Sequence, residues 1–536
     1  MKRAKRVLSL LLTAMMIMTS ISLAFSVSAV DGWYNGISWD LTNGVLTISG
    51  NHPIELEEDD YSYPWDSYKS SIKSIVIQNG ITEIGYGAFD DCKNLTSISL
   101  PNSLRVIDVA SFKGCSSLST FTIPSSVSVI DGRAFADTAW YTQQPNGVIY
   151  IGAILYGYKG NMPYGTSISV KEGTTSIASE AFGEISNLSG ISFPSSLKRI
   201  GAYAFYYCTG LKNVSIPGSV KLIDVDAFRG CSNLESVTLS EGIETIEWRA
   251  FASCDKLTSL TIPGSVKDMG FQTFEYCDNL KSVTFKDGII EIAQFAFWGC
   301  KNLEEVVFPS TLGTIKPGAF WECSSLKKIT LTESLSRIDV AAFCECSALE
   351  DVVIPANTIL VDYMAFYGCT RMKTFTVKNK GCILNGIFEK APADKDIRVD
   401  YIWAVSDNYR SGDVIFYGYP GSTTESYAKQ YNRPFVALTE TPADNSGNYL
   451  AGLSDFFQNL LSNLQPLMSR IIEVIAGLLG GAITSSTTQE QAATTQEQVQ
   501  TSVDFSVLLN MLMTGFGTVI QNLIPMIQSL LVQPAA

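Results

Sequence analysis

A single histidine, His52, and twelve cysteines are the most reactive side chains in this sequence. A Ser/His/Asp or Cys/His nucleophile would have to commit that one imidazole, and no Cys-x-x-Cys pair offers a zinc site. The run Glu57-Glu58-Asp59-Asp60 carries calcium-type ligands but reads as a solvated acidic loop. Two carboxylates suffice for glycoside hydrolysis, although only with a cleft to hold them. No catalytic residue, metal site or cofactor is therefore assigned, and the expectation is that the chain is not an enzyme.

The cysteines have a different logic. Ten of them (Cys92, Cys115, Cys208, Cys231, Cys254, Cys277, Cys300, Cys323, Cys346 and Cys369) each stand three residues after a phenylalanine. The phenylalanines Phe89, Phe112, Phe135, Phe182, Phe205, Phe228, Phe251, Phe274, Phe297, Phe320, Phe343 and Phe366 are spaced by 23 residues, with one step of 47. A phase held over twelve copies marks a repeat array whose units stack on their neighbours and do not fold alone. Cysteines in such a ladder should point in parallel, as buried thiols rather than disulfides.

Within one unit, CKNLTSISLPNSLRVIDVASFKG from Cys92, the residues Leu95, Ile98 and Leu100 have strand spacing and Pro101 ends the strand. Leu104, Ile107 and Phe112 then return the chain on the far side. The pattern C-x-x-L-x-x-I-x-I-P followed by I-x-x-x-A-F resembles the BspA-type leucine-rich-repeat family of bacterial surface and secreted proteins, from about Cys92 to Phe388. The flanks ISWDLTNGVLTISG from Ile37 with Pro64-Trp65, and VIFYGYPGSTTESYAKQYNRPF from Val414, are similar to that family's N- and C-terminal caps. Ser422 and Glu425 also form a capping-box pair that opens a short helix. The fold class expected is an α/β-type solenoid, mostly β: a right-handed leucine-rich-repeat stack with a parallel sheet on one face, plus a C-terminal helical hairpin.

The expected organisation is a signal peptide at 1–29, an N-terminal strand cap at 30–75, the solenoid at 76–390, a C-terminal cap at 391–438, a linker at 439–447 and a tail at 448–536. The leader has Lys2, Arg3, Lys5 and Arg6 before an apolar run, then Val27-Ser28-Ala29 as a cleavage site. Its removal leaves 34 Lys and Arg against 52 Asp and Glu, a net charge of −18. Such an acidic chain is a poor ligand for nucleic acid. The 47-residue step reads either as a strand-rich insertion near 136–160, with a turn at Asn146-Gly147, or as a degenerate repeat.

Two surfaces compete for a partner. The sheet face carries a Ser/Thr ladder (Ser215, Thr238, Thr261, Thr284, Thr330 and Thr376) beside charges of alternating sign, without aromatics. The return segments carry Tyr206, Trp298, Trp321 and Tyr367 one residue after the repeat phenylalanine, and Trp248 and Phe271 three before it. These six are the candidate binding stripe, either presented to a ligand or stacked to cover the edge of the core. In the tail, Leu453 to Leu478 and Phe505 to Leu530 repeat at three-four spacing around a Gln/Thr-rich spacer, which predicts two amphipathic helices that self-associate or lie on a membrane surface. The resemblance implies an exported scaffold that binds an extracellular protein in adhesion. The alternatives are a self-assembling envelope protein that uses the tail, and a carbohydrate-binding protein.

Overall fold

The computed structural model describes residues 30–57, 61–389 and 414–439. The expected leader, the linker and the two tail helices lie outside the described residues, as does much of the acidic run after Glu57. Within them the chain is a mostly-β parallel solenoid with 23-residue turns. Most turns contribute one strand to the sheet face, such as Asn213–Ile216 paired in parallel with Ser236–Leu239, and one short return strand, such as Leu222–Ile223 paired with Thr245–Ile246, while the turns at 118–123 and 326–331 have no regular sheet-face strand. Alternation decides what each strand buries: Val214 and Ile216 enter the core, whereas Ser215 stays outside opposite Thr238. The repeat phenylalanines form a column of stacked rings, 4.8–5.5 Å apart from Phe205 to Phe274.

The loop around each phenylalanine has an unusual backbone. In all twelve turns the residues two before and two after the phenylalanine have positive φ, among them Tyr203, Arg249, Phe295, Glu322 and Met364. Eighteen of these twenty-four positions are not glycine, although a left-handed residue costs about 1–2 kcal/mol when it has a Cβ. The alternation aims every second N–H along the stack. In the Phe228 turn, Asp226, Phe228 and Gly230 donate to the carbonyls of Trp248, Ala250 and Ala252, and the neighbouring turns repeat this. The phenylalanine column and this ladder together hold the strained conformation.

A one-way ladder leaves carbonyls unpaired at its start and N–H groups unpaired at its end. At the N-terminal end, the Trp65 indole donates to Ala88 (2.8 Å) and the Tyr63 hydroxyl to Tyr86 (3.2 Å), while Trp65 stacks on Phe89. These residues follow an antiparallel cap, Val30–Tyr34, Ile37–Thr42 and Val45–Gly50, whose last strand pairs in parallel with Ser74–Ile77. At the other end Phe388 N–H meets the Tyr427 hydroxyl at 3.5 Å. Tyr427 lies on the helix Thr423–Gln430, which Ser422 caps by accepting from Glu425 N–H. The Glu425 carboxylate reaches Gly421 N–H, one residue earlier than a capping box requires.

The 47-residue step breaks the array at a third point. Thr138 caps a helix at Ala139–Gln143 that the strand-rich reading did not anticipate, and Lys159 Nζ binds the carbonyls of Tyr141, Thr142 and Gln144 at its end. A hairpin follows, Gly147–Ile151 with Ile154–Lys159, turning at Gly152-Ala153, and the chain bends at Asn146 just before its first strand. Its second strand pairs with Ser176–Ile177 and so takes a place in the return sheet. The N–H of Phe135 has no regular successor and donates to the Tyr156 hydroxyl at 2.9 Å. Ile154 and Tyr156 join the N-terminal core, while Leu155 joins the C-terminal one.

All twelve cysteines are buried free thiols. In nine ladder members the thiol donates to the phenylalanine carbonyl 26 residues earlier, at 3.0–3.4 Å. Burial pushes these thiols up, Cys208 and Cys277 to about 12, so they stay protonated and unreactive. The folded chain is accordingly expected to resist thiol reagents at neutral pH, while the denatured chain titrates close to twelve thiols. Five or six disulfides in that titration would overturn the ladder.

Candidate binding face

Among the described residues His52 is exposed, and no cluster of His, Cys, Asp and Glu could hold a metal ion. A cleft of about 550 Å³ beside the first turns is lined by Ile77, Gln78, Asn79, Ser99, Leu100, Pro101 and Asn102, with no ionisable side chain among them. On the sheet face the Ser/Thr ladder points outward, with Ser215, Thr238 and Thr261 exposed. No described helix is long and apolar enough to cross a membrane.

The phenylalanine loops are different, because the left-handed positions swing side chains away from the core. Four of the six aromatics of the stripe form the two ring pairs that their spacing implies: Trp248 and Phe271 meet edge to face at 5.8 Å, and Trp298 stacks on Trp321 at 5.7 Å. They do not share one environment. Trp248 is 41% exposed and Tyr206, Phe271 and Trp298 are half-buried. Trp321 is 1% exposed, and Tyr367 is also buried, packed with Phe295, Ala341, Cys344 and Met364 in a small core outside the solenoid. Trp321 and Tyr367 are thus not open to direct ligand contact, since Phe295, Ala341, Cys344 and Met364 of the neighbouring turns pack around them.

The exposed part of the face contains residues that the spacing argument passed over. Tyr203, Tyr207 and Tyr276 occupy left-handed positions and are exposed, like Trp248. Beside Tyr203 lies Asp226, fully buried, which receives Arg229 at 3.5 Å, Arg249 at 3.3 Å and the Tyr203 hydroxyl. The Arg249 guanidinium lies over the Trp248 ring at 4.5 Å. The Trp248 indole N–H donates to Gln272 at 3.3 Å, and the Gln272 amide donates to Glu275 at 3.0 Å. The usable signal was the pair of columns two residues either side of each phenylalanine, where aromatics, charges and glycines alternate without an apolar pattern.

Burial dominates the electrostatics here. It lifts the Asp226 carboxyl although two arginines oppose it, and raises the Glu275 carboxyl to about 7 against the same arginines, with Asp226 adding to the rise. Between pH 4.5 and 7 the folded chain therefore holds a proton on Glu275 that the unfolded chain has released. Its contribution to stability is present below pH 4.5 and lost as the pH rises through 7. Glu275→Gln is expected to match the parent at pH 4 and exceed it by about 2–3 kcal/mol at pH 8, measured by urea unfolding. Equal stability of the two at pH 8 would contradict the assignment.

This architecture, with a Phe column, a Cys ladder and 23-residue turns, has known counterparts. The profile of the BspA type leucine rich repeat region matches residues 67–164, 150–281 and 267–392, more than half of the chain. The chain belongs to the BspA-type leucine-rich-repeat family. It is similar to a leucine-rich repeat protein of Eubacterium ventriosum, with 22% identity over 69% of this chain and 98% of that one and a TM-score of 0.35. One from Bacteroides ovatus has 22% identity over 65% and 94%, TM-score 0.35. A leucine-rich repeat protein of T. pallidum has 30% identity over 33% of this chain and 83% of that one, TM-score 0.31. No curated protein matches the chain.

Proposed function

We propose that this chain is an exported, surface-acting binding scaffold that engages an extracellular protein partner in adhesion, and that it does so through the loop face of the Phe205 to Phe297 turns. One observation carries the reading: exposed Tyr203 and Trp248 stand beside buried Asp226 and the two arginines that it holds, Arg229 and Arg249, the second of them lying over the Trp248 ring. Tyr, Trp and Arg are the side chains in which binding energy concentrates, and a rigid base lowers the entropy lost on association. Membership in a family of bacterial repeat proteins and the leader at 1–29 support export, and a stack whose residues are used up in core and ladder supports binding rather than catalysis.

The test is retention of the labelled full chain on intact epithelial and bacterial cells. Binding is expected to fall at least tenfold in a Tyr203→Ala, Trp248→Ala double variant and after protease treatment of the cells. Retention on neither cell type, or equal retention of the variant, refutes the reading.

A further inference from the structure

Within the loop face, two tyrosines have an arrangement that a general hot spot does not require. Tyr207 and Tyr276 occupy the same repeat position, two residues after the phenylalanine, three turns apart. At the phenylalanine spacing of 4.8–5.5 Å per turn, they stand about 15 Å apart. Each ring lies over the glycine that follows it by 23 residues. A Cβ on Gly230 would meet three Tyr207 ring atoms at 3.0 Å, and one on Gly299 would meet Tyr276 ring atoms at 2.3 and 2.4 Å. Tyr207 thus lays one ring face on glycine backbone, whereas Tyr276 meets Gly299 with one ring edge and leans on Trp298, their ring centroids 5.2 Å apart. Tyr207 remains 45% and Tyr276 36% exposed. Between the two tyrosines the column holds only Gly230 and Ser253, so no large side chain of that column interrupts the line.

We propose that this Tyr207–Tyr276 row is a binding strip for an extended, uncharged glycan chain, the sugars stacking on the two tyrosine rings. The proposal rests on the loop face being the binding face and names what that part of it touches. Sugar rings present flat C–H faces that pack on aromatic faces, and hydroxyls that reach the polar rim of the same ring. Strand addition by a peptide is blocked, because the N–H groups of Tyr207, Gly230, Ser253 and Tyr276 all donate to the next turn. An anionic chain is disfavoured: in the same column Glu184 stands one turn before Tyr207 and Glu322 two turns after Tyr276, and Arg229 and Arg249 are paired with Asp226. Platforms this far apart suit an oligosaccharide and not a single sugar.

The full chain is run through native gels containing neutral arabinoxylan, galactomannan or mixed-linkage β-glucan. At least one polymer is expected to retard it. Tyr207→Ala with Tyr276→Ala should then weaken retardation at least tenfold, and free monosaccharide should not compete. Tyr207→Phe with Tyr276→Phe keeps the rings and should keep most of the binding, and Tyr164→Ala, at an exposed tyrosine off the row, should change nothing. Retardation by none of the three polymers, or equal retardation of the double alanine variant, overturns the proposal. If the gels fail while the Tyr203→Ala, Trp248→Ala variant still loses cell retention, the glycan strip falls and the binding scaffold stands.

Discussion

Phe228→Ala is expected to destabilise the C-terminal core by about 3–5 kcal/mol, the range for truncating a large buried aromatic. Phe228 is fully buried, with stacked rings at 4.8 Å (Phe205) and 5.1 Å (Phe251). The neighbours cannot collapse into the space, because Asp226, Phe228 and Gly230 are tied by backbone bonds to the next turn and the Phe205 turn is tied in the same way to this one. The loss therefore includes a persistent cavity and two broken ring contacts. Guanidinium unfolding measures it, with hydrogen exchange separating the cores on either side of the Leu155–Tyr156 boundary. A loss below about 1.5 kcal/mol would show that the stack repacks.

Trp321→Ala is expected to lose a similar 3–5 kcal/mol, whereas Trp248→Ala should lose less than about 1 kcal/mol. The two residues look equivalent in sequence, yet one is sealed in the small outer core with Phe295, Cys344 and Met364 and the other is open to solvent. The same unfolding experiment compares them directly. Equal losses would mean that the division of the stripe into a covered and a presented half is wrong.

The repeat itself was legible because it depends on period alone. Phe228, Cys231, Leu234 and Ile246 are each dictated by a column that recurs along the chain, and the structure buries all four. The binding face was legible only in part. Whether a loop aromatic is open or covered depends on what stands in the adjacent turns: Phe295 from the turn before and Cys344 from the turn after help to close over Trp321, whereas Tyr207 faces Gly230. That is a relation between neighbouring turns and not a property of either residue. The left-handed positions were hidden for a related reason. Tyr203, Arg249 and Met364 adopt a conformation that their types disfavour, imposed by the ladder from both sides. The helix at Ala139–Gln143 follows from Thr138 standing where the column has cysteine, a single substitution within an expected strand-rich run.

The one-way ladder also bears on how such a gene can change length. Every interior turn offers carbonyls to the turn before and N–H groups to the turn after, so any two turns present the same join. Duplication or loss of one whole unit by unequal crossing-over therefore creates no new unpaired group, while a fragment of a unit would leave buried donors or acceptors without partners. Trp65, Tyr63, Tyr156 and Tyr427 are outside this freedom, since each stands in for a missing turn at one place. Copy number can drift within each half of the array, and the three joints must be inherited intact.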